Sequence, residues 1–157
     1  MRVDMAVHGL VAAIVSWVYG PAGVPRMSSP ASATVMETSA AVTDPKALGN
    51  AALVLANLAL DPANHSVLVR DGGASMLVRL CADSDVGDDE VLGGATEALS
   101  HLAIHEQWCP HLVRCGAVTV LRQLCERGRG KAGELVVANA QKVLDLCTIK
   151  SDQSGQE

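Results

Sequence analysis

Large aromatic side chains are nearly absent from this chain of 157 residues, which contains no phenylalanine and only Trp17, Trp108 and Tyr19. A hydrophobic core must therefore be built from Leu, Val and Ala, which suit close packing between helices. The scarcity of rings that stack on bases, a net charge of −5 and a pI near 5.5 argue against nucleic-acid binding. A basic or extended peptide remains open as a partner.

The five cysteines are an odd number, which does not suit a framework of disulfides. Three of them, Cys81, Cys125 and Cys147, occupy positions that are apolar in the pattern of the surrounding sequence. We therefore predict small buried thiols in a reducing compartment, either cytoplasmic or nuclear.

Long hydrophobic runs are limited to residues 5–19, which are too few to span a membrane and are interrupted by His8, Gly9 and Ser16. We therefore expect no stable membrane insertion. Three interpretations of this run stay open: a buried helix from a degenerate preceding repeat, a secretory signal peptide cleaved near Ala22, and a mitochondrial or other targeting segment.

Motifs for catalysis and metal binding are weak or missing, since the sequence has no phosphate-binding loop, dinucleotide fingerprint or paired-carboxylate motif. Zinc prefers His and Cys side chains as ligands, and residues of these two types cluster at His101, His105, Cys109, His111 and Cys115. Their spacing matches no closed zinc module, and a Cys–His nucleophilic pair among them has no visible third residue to orient it. We predict no enzyme, no cofactor and no metal, with zinc at His101, His105 and Cys109 as the least favoured alternative.

An internal repeat is the main feature that the sequence does have. The run Leu68-Val69-Arg70-Asp71-Gly72, followed by Leu77, Leu80 and Cys81, recurs 44 residues later as Leu112-Val113-Arg114-Cys115-Gly116 with Leu121, Leu124 and Cys125. The same shift moves Ala51, Leu55, Leu58 and Ala59 onto Ala95, Leu99, Leu102 and Ala103. A fixed period of this size indicates an array of helical repeats.

The period, the glycine between two apolar segments and the ending Ala-x-x-x-Leu-x-x-Leu-Ala resemble the armadillo repeat. The resemblance covers about residues 44–147, and residues 50–59 are its most typical part. It implies an all-α fold, a right-handed α-solenoid whose units each have a short first helix and two longer ones. It also implies that the third helices line a concave groove that binds other proteins. HEAT repeats are the nearest alternative and imply a similar function.

The sequence contains two strong helix-start signals, and the first of them marks the beginning of the repeat domain. Asp44-Pro45 and Asp61-Pro62 each combine a capping carboxylate with a proline in the first turn. Residues 1–43 form an apolar segment and a Pro/Ser/Ala-rich link, which is a degenerate repeat or a targeting segment. Residues 44–149 form the repeat domain, and residues 150–157 form a polar tail that we expect to be disordered. Helices are predicted over about 44–60, 74–82, 90–104, 117–127 and 134–147.

Gly93 and Gly94 lie inside a predicted helix, where each glycine costs about 1 kcal/mol relative to alanine. One interpretation is close packing against a neighbouring helix. The other is that the missing side chains leave room in the groove for the backbone of a ligand.

A binding surface is predicted from the third helices. In peptide-binding armadillo proteins an Asn on this helix holds the ligand backbone, because its amide both donates and accepts hydrogen bonds. Only Asn57 matches, and the positions that hold Trp in import receptors are not aromatic here. The surface predicted to bind the partner comprises Leu53, Asn57, Glu97, His101, Gln141 and Asp145. It is mixed and mildly acidic, so we expect a partner of some basic character and a pH dependence from His101.

The function predicted from these features is a non-catalytic protein–protein interaction module, an armadillo-repeat adaptor or scaffold. Two complete repeats and a partial one are near the minimum for a stack stabilised through neighbours. We therefore also expect self-association through the uncapped end near residues 50–57. The alternative is a secreted or organellar helical-repeat protein whose N-terminal segment is cleaved.

Overall fold

The computed structural model describes residues 2–19, 44–84, 88–128 and 133–153, and all regular structure in these ranges is helical. The eight α-helices of this described part are α1 (Arg2–Tyr19), α2 (Pro45–Ala59), α3 (His65–Arg70), α4 (Gly73–Asp83), α5 (Asp89–Ile104), α6 (Cys109–Arg114), α7 (Ala117–Gly128) and α8 (Glu134–Gln153). Short 3₁₀-helices at Pro62–Asn64 and Glu106–Trp108 lead into α3 and α6. The predicted all-α class is confirmed.

Both predicted Asp-Pro helix starts are present. The carboxylate of Asp44 accepts a hydrogen bond from the backbone N of Lys46 at 3.4 Å, and that of Asp61 accepts one from Ala63 at 3.0 Å. Each bond satisfies a donor that the first turn leaves unpaired, and such a cap contributes about 1 kcal/mol.

Two glycines with positive φ mark the turns between the short and the longer helix of each unit. Gly72 has φ +85° between α3 and α4, and Gly116 has φ +83° between α6 and α7. Residues that have a Cβ rarely adopt a positive φ, so backbone geometry explains why both units have a glycine at this position.

Helices separated by one period are neighbours in space. α5 packs between α2 and α8, while α4 packs against α5 and α7, and α7 packs against α8. α2 and α5 run parallel, because Gly49 faces Glu90 and Val91 while Ala52 and Leu53 face Gly94. The N-terminal ends of α5 and α8 also meet, since the backbone N of Gly133 donates to Asp89 Oδ1 at 3.2 Å.

α5 is buried over most of its surface because it lies between two parallel helices, α2 and α8. Among the described residues, α8 has a parallel neighbour on one side only, which is α5. Leu99 of α5 and Val143 of α8 occupy matching repeat positions and are both fully buried. α8 departs from the repeat pattern at Asn139, a position that is apolar in the other units. Asn139 is half-buried there, and Ala140 beside it is fully buried. α8 continues to Gln153, so the tail predicted from residue 150 begins inside this helix; residues 154–157 lie outside the described part.

α1 contributes its valines to the core. Val7, Val11 and Val18 are buried, whereas Leu10 and Trp17 of the same helix are exposed. α1 packs against α3 and α4 as well as α2, and Val11 approaches the α3–α4 corner so closely that a Cβ at Gly73 would lie 3.2 Å from its Cγ1. The Pro/Ser/Ala-rich link lies outside the described residues.

Within the described part of the chain, no single helix is both long and apolar enough to cross a membrane. The one pair of helical segments that meets this test together, Pro45–Ala59 with Pro62–Arg70, is bent by 110°.

The adjacent glycines of α5 have different surroundings. A Cβ at Gly94 would lie 3.1 Å from the backbone C and the Cβ of Ala52 and from the backbone N of Leu53. A Cβ at Gly93 would meet no atom within 4 Å. Close packing therefore accounts for the glycine at position 94, whereas packing does not require a glycine at position 93.

Alanine substitutions at these two positions should have opposite effects. We expect Gly94→Ala to lower the free energy of unfolding by about 1–3 kcal/mol, because the new methyl group presses on the α2 backbone. Gly93→Ala should raise it by about 0.5–1 kcal/mol, because alanine costs less helix entropy. Urea unfolding followed by circular dichroism measures both. Equal effects of the same sign would contradict the packing described for Gly94.

Candidate functional site

The candidate site is the surface carried by the three parallel helices, which we call the third-helix surface. It consists of the six predicted residues Leu53, Asn57, Glu97, His101, Gln141 and Asp145. Each helix supplies two of them, four residues apart and therefore on one face. Because α5 packs between α2 and α8, the central pair lies between the two outer pairs in helix order.

All six side chains are accessible to some degree. Leu53, Asn57, Gln141 and Asp145 on the outer helices are exposed, and Glu97 and His101 on the central helix are partly exposed. Leu53 is 52% exposed although it lies next to a packed helix interface. The surface therefore offers one apolar side chain among polar ones.

The charged groups of the third-helix surface interact along their own helices. Gln141 Nε2 donates to Asp145 Oδ1 at 2.8 Å on α8, and His101 Nε2 lies 4.0 Å from Glu97 Oε1 on α5. Two carboxylates without a facing Lys or Arg among the six residues leave this surface acidic. This charge favours a ligand with basic groups.

Gly93 extends the central row of the surface by one turn, because it precedes Glu97 by four residues on α5. Its α-carbon faces open space. A ligand backbone can approach the helix more closely here than beside any residue with a side chain.

A contact between a buried histidine and a half-buried one was not predicted from the sequence. His65 on α3 is 2% exposed, and its Nε2 lies 2.7 Å from the carbonyl oxygen of Ala59 at the end of α2. Its ring packs edge-on against that of His105, with centroids 5.0 Å apart. Its Nδ1 is buried with no hydrogen-bond partner among the described residues.

Burial lowers the pKa of His65 from its ordinary value, and the charges of His105 and His101 lower it further. The hydrogen bond to Ala59 opposes this shift without overcoming it. Protonation of His65 is therefore unfavourable in the folded chain. His101, one of these two neighbours, is also a residue of the third-helix surface.

The hydrogen bond that His65 makes to the preceding long helix has a counterpart in the second unit. Its matching position is Cys109, whose Sγ lies 3.5 Å from the carbonyl oxygen of Ala103, the residue that matches Ala59. In both units, then, a side chain at the start of the short helix donates to the end of the preceding long helix. This contact ties each unit to the one before it.

The residues of the zinc alternative are not brought together. His105 packs against His65, Cys109 Sγ points toward the carbonyl oxygens of Ala103 and Leu146, and His101 is beside Glu97. In the ranges that the structure describes, no three His, Cys, Asp or Glu side chains form a group that could hold a metal ion.

The lowered pKa of His65 predicts a loss of stability in mild acid. The unfolded chain takes up a proton at this residue near pH 6.5, but the folded chain resists it, so the free energy of unfolding falls as the pH drops from about 7 toward 5. The loss amounts to about 1.4 kcal/mol for each unit by which the pKa is lowered. The test compares urea unfolding of the original chain and His65→Gln, which keeps a donor for Ala59.

At pH 8 we expect His65→Gln to be the less stable of the two, because the glutamine fills the ring's space poorly. The difference should shrink as the pH falls to 5. A constant difference across this range would contradict a lowered pKa at His65.

Comparison with known proteins adds no relative to these observations. No known protein family matches the chain, and no curated protein or solved structure matches it significantly.

Proposed function

We propose that the chain is a non-catalytic armadillo-like repeat module, an adaptor or scaffold of the cytoplasm or nucleus that binds a partner protein in a concave groove along α2, α5 and α8. In this proposal the helices form a right-handed α-solenoid. The observation that supports it best is that helices 44 residues apart are parallel neighbours with accessible polar residues at the same repeat positions. An armadillo-like stack predicts this arrangement.

The partner that fits the third-helix surface is an extended peptide segment with basic side chains. The carboxylates of Glu97 and Asp145 attract cations. The exposed amide of Asn57 can donate to and accept from a peptide backbone. The open space at Gly93 lets that backbone approach α5, and Leu53 offers a contact for an apolar side chain.

A second candidate is self-association through α2, the first of the three parallel helices. Leu53 is 52% and Val54 is 38% exposed on this helix, although both are apolar. If two copies meet here, Leu53→Lys should shift sedimentation at high concentration from dimer toward monomer, because it places a charge in the contact. A chain that sediments as a monomer at every concentration would exclude this candidate.

Removing charge from the third-helix surface should weaken the binding of a basic extended peptide. The probe is a fluorescent peptide of alternating lysine and proline, which cannot form a helix. We expect Glu97→Gln with Asp145→Asn to weaken binding about tenfold, because each partly exposed ion pair contributes up to about 1 kcal/mol. Fluorescence anisotropy at low ionic strength measures the dissociation constant.

The matched control removes two exposed carboxylates elsewhere, by Glu126→Gln on α7 with Asp83→Asn on α4. Both double variants have the same net charge, so general attraction affects them equally. Binding that weakens to the same extent in the two variants would contradict the assignment to the third-helix surface.

A further inference from the structure

A cluster of three side chains lies at the boundary between the two repeat units, away from the six residues of the third-helix surface. Cys115 Sγ is 3.3 Å from His111 Nε2, one turn earlier in the chain. It is also 3.3 Å from Ser75 Oγ on α4 of the preceding unit. The third residue that the sequence did not reveal beside a Cys–His pair is thus supplied from 40 residues away.

The repeat does not require this cluster. In the preceding unit the positions that match Cys115 and His111 hold Asp71 and Val67. Val67 is fully buried, and Asp71 forms an ion pair with Arg70. The second unit therefore holds an imidazole and a thiol where the first unit holds an apolar residue and a carboxylate, and the same glycine turn follows in both units.

The thiol is accessible and has a proton acceptor. Cys115 and His111 are half-buried, and Ser75 is exposed. A Cβ at Gly116, the next residue, would meet no atom within 4 Å, so the chain directly after Cys115 borders open space. Burial and the charge of Arg114 lower the pKa of His111 from its ordinary value. Its imidazole is therefore neutral near pH 7, so Nε2 can accept a hydrogen bond from the thiol, and the same shift makes it a weaker base.

We propose that Cys115 is a site of oxidation by hydroperoxides, with His111 as its proton acceptor and Ser75 as a hydrogen-bond donor to the sulfur. His111 Nε2 takes the thiol proton, and the thiolate attacks the terminal oxygen of the hydroperoxide. The S–O bond forms as the O–O bond breaks. Sulfur is oxidised by two electrons to a sulfenic acid, the peroxide is reduced to an alkoxide, and the proton on His111 passes to that alkoxide to give an alcohol.

The other thiols provide internal controls. Burial raises the pKa of Cys81 to about 12, so this thiol is protonated and inaccessible at neutral pH. Cys125 on α7 is half-buried, as Cys115 is, and therefore controls for exposure.

The experiment treats the reduced full chain with tert-butyl hydroperoxide at pH 7 and traps sulfenic acid with dimedone, and mass spectrometry of peptides then measures the labelling rate of each cysteine. We expect Cys115 to react more than about tenfold faster than Cys125, and Cys81 to stay unlabelled. His111→Gln keeps a polar atom near the sulfur but cannot accept its proton. It should slow Cys115 more than about tenfold and leave Cys125 unchanged.

Ser75→Ala provides a second variant on an exposed position, which tests the cluster even if His111→Gln disturbs folding. It should slow Cys115 by about two- to fivefold, the effect of one neutral hydrogen bond. Equal rates at Cys115 and Cys125 would overturn the proposal, and so would an unchanged Cys115 rate in both variants. Peptide binding by the third-helix surface is measured separately, so failure there does not bear on this site.

Discussion

The contact between Gly94 of α5 and the backbone of α2 at Ala52 and Leu53 is the constraint on which the rest of the arrangement depends. With no side chain at Gly94 and only a methyl group at Ala52, the two helix backbones approach to a distance that a single added Cβ would obstruct. Interiors packed at this density do not absorb an extra methyl group without a shift. The close approach brings the face of α5 next to that of α2, and α8 repeats the parallel placement on the other side.

Contacts at the ends of the long helices add a second level of organisation. His65 and Cys109 each bond to a carbonyl oxygen at the end of the preceding long helix. In the first unit this role falls to a titratable group, which must stay neutral because it is buried beside His105. Burial of this group, and not its hydrogen bond to Ala59, lowers its pKa and is the reason that we expect stability to depend on pH.

Two kinds of chemistry are separated in this small fold. The third-helix surface presents carboxylates and amides, which suit reversible binding, on the three parallel helices. The Cys115 cluster lies where α6 ends and contacts α4, at the boundary between units. Oxidation at that boundary would add an oxygen atom between Ser75 and the sulfur, next to the packing of α4 on α7. The third-helix surface and the Cys115 cluster share no residue, so a single substitution can be made in one of them alone.

The sequence by itself determined the helical class, the period, both Asp-Pro starts and the two glycine turns, because these depend on residues within a few positions of one another. The choice of the six residues of the third-helix surface came from the resemblance to armadillo repeats, and the period extended it from α2 to α5 and α8. Only the tertiary structure decided that Gly94 is packed and Gly93 open, that His65 meets His105, and that Ser75 reaches Cys115. These contacts depend on how each helix is rotated about its axis and on the distance between helices, and a repeat period specifies neither.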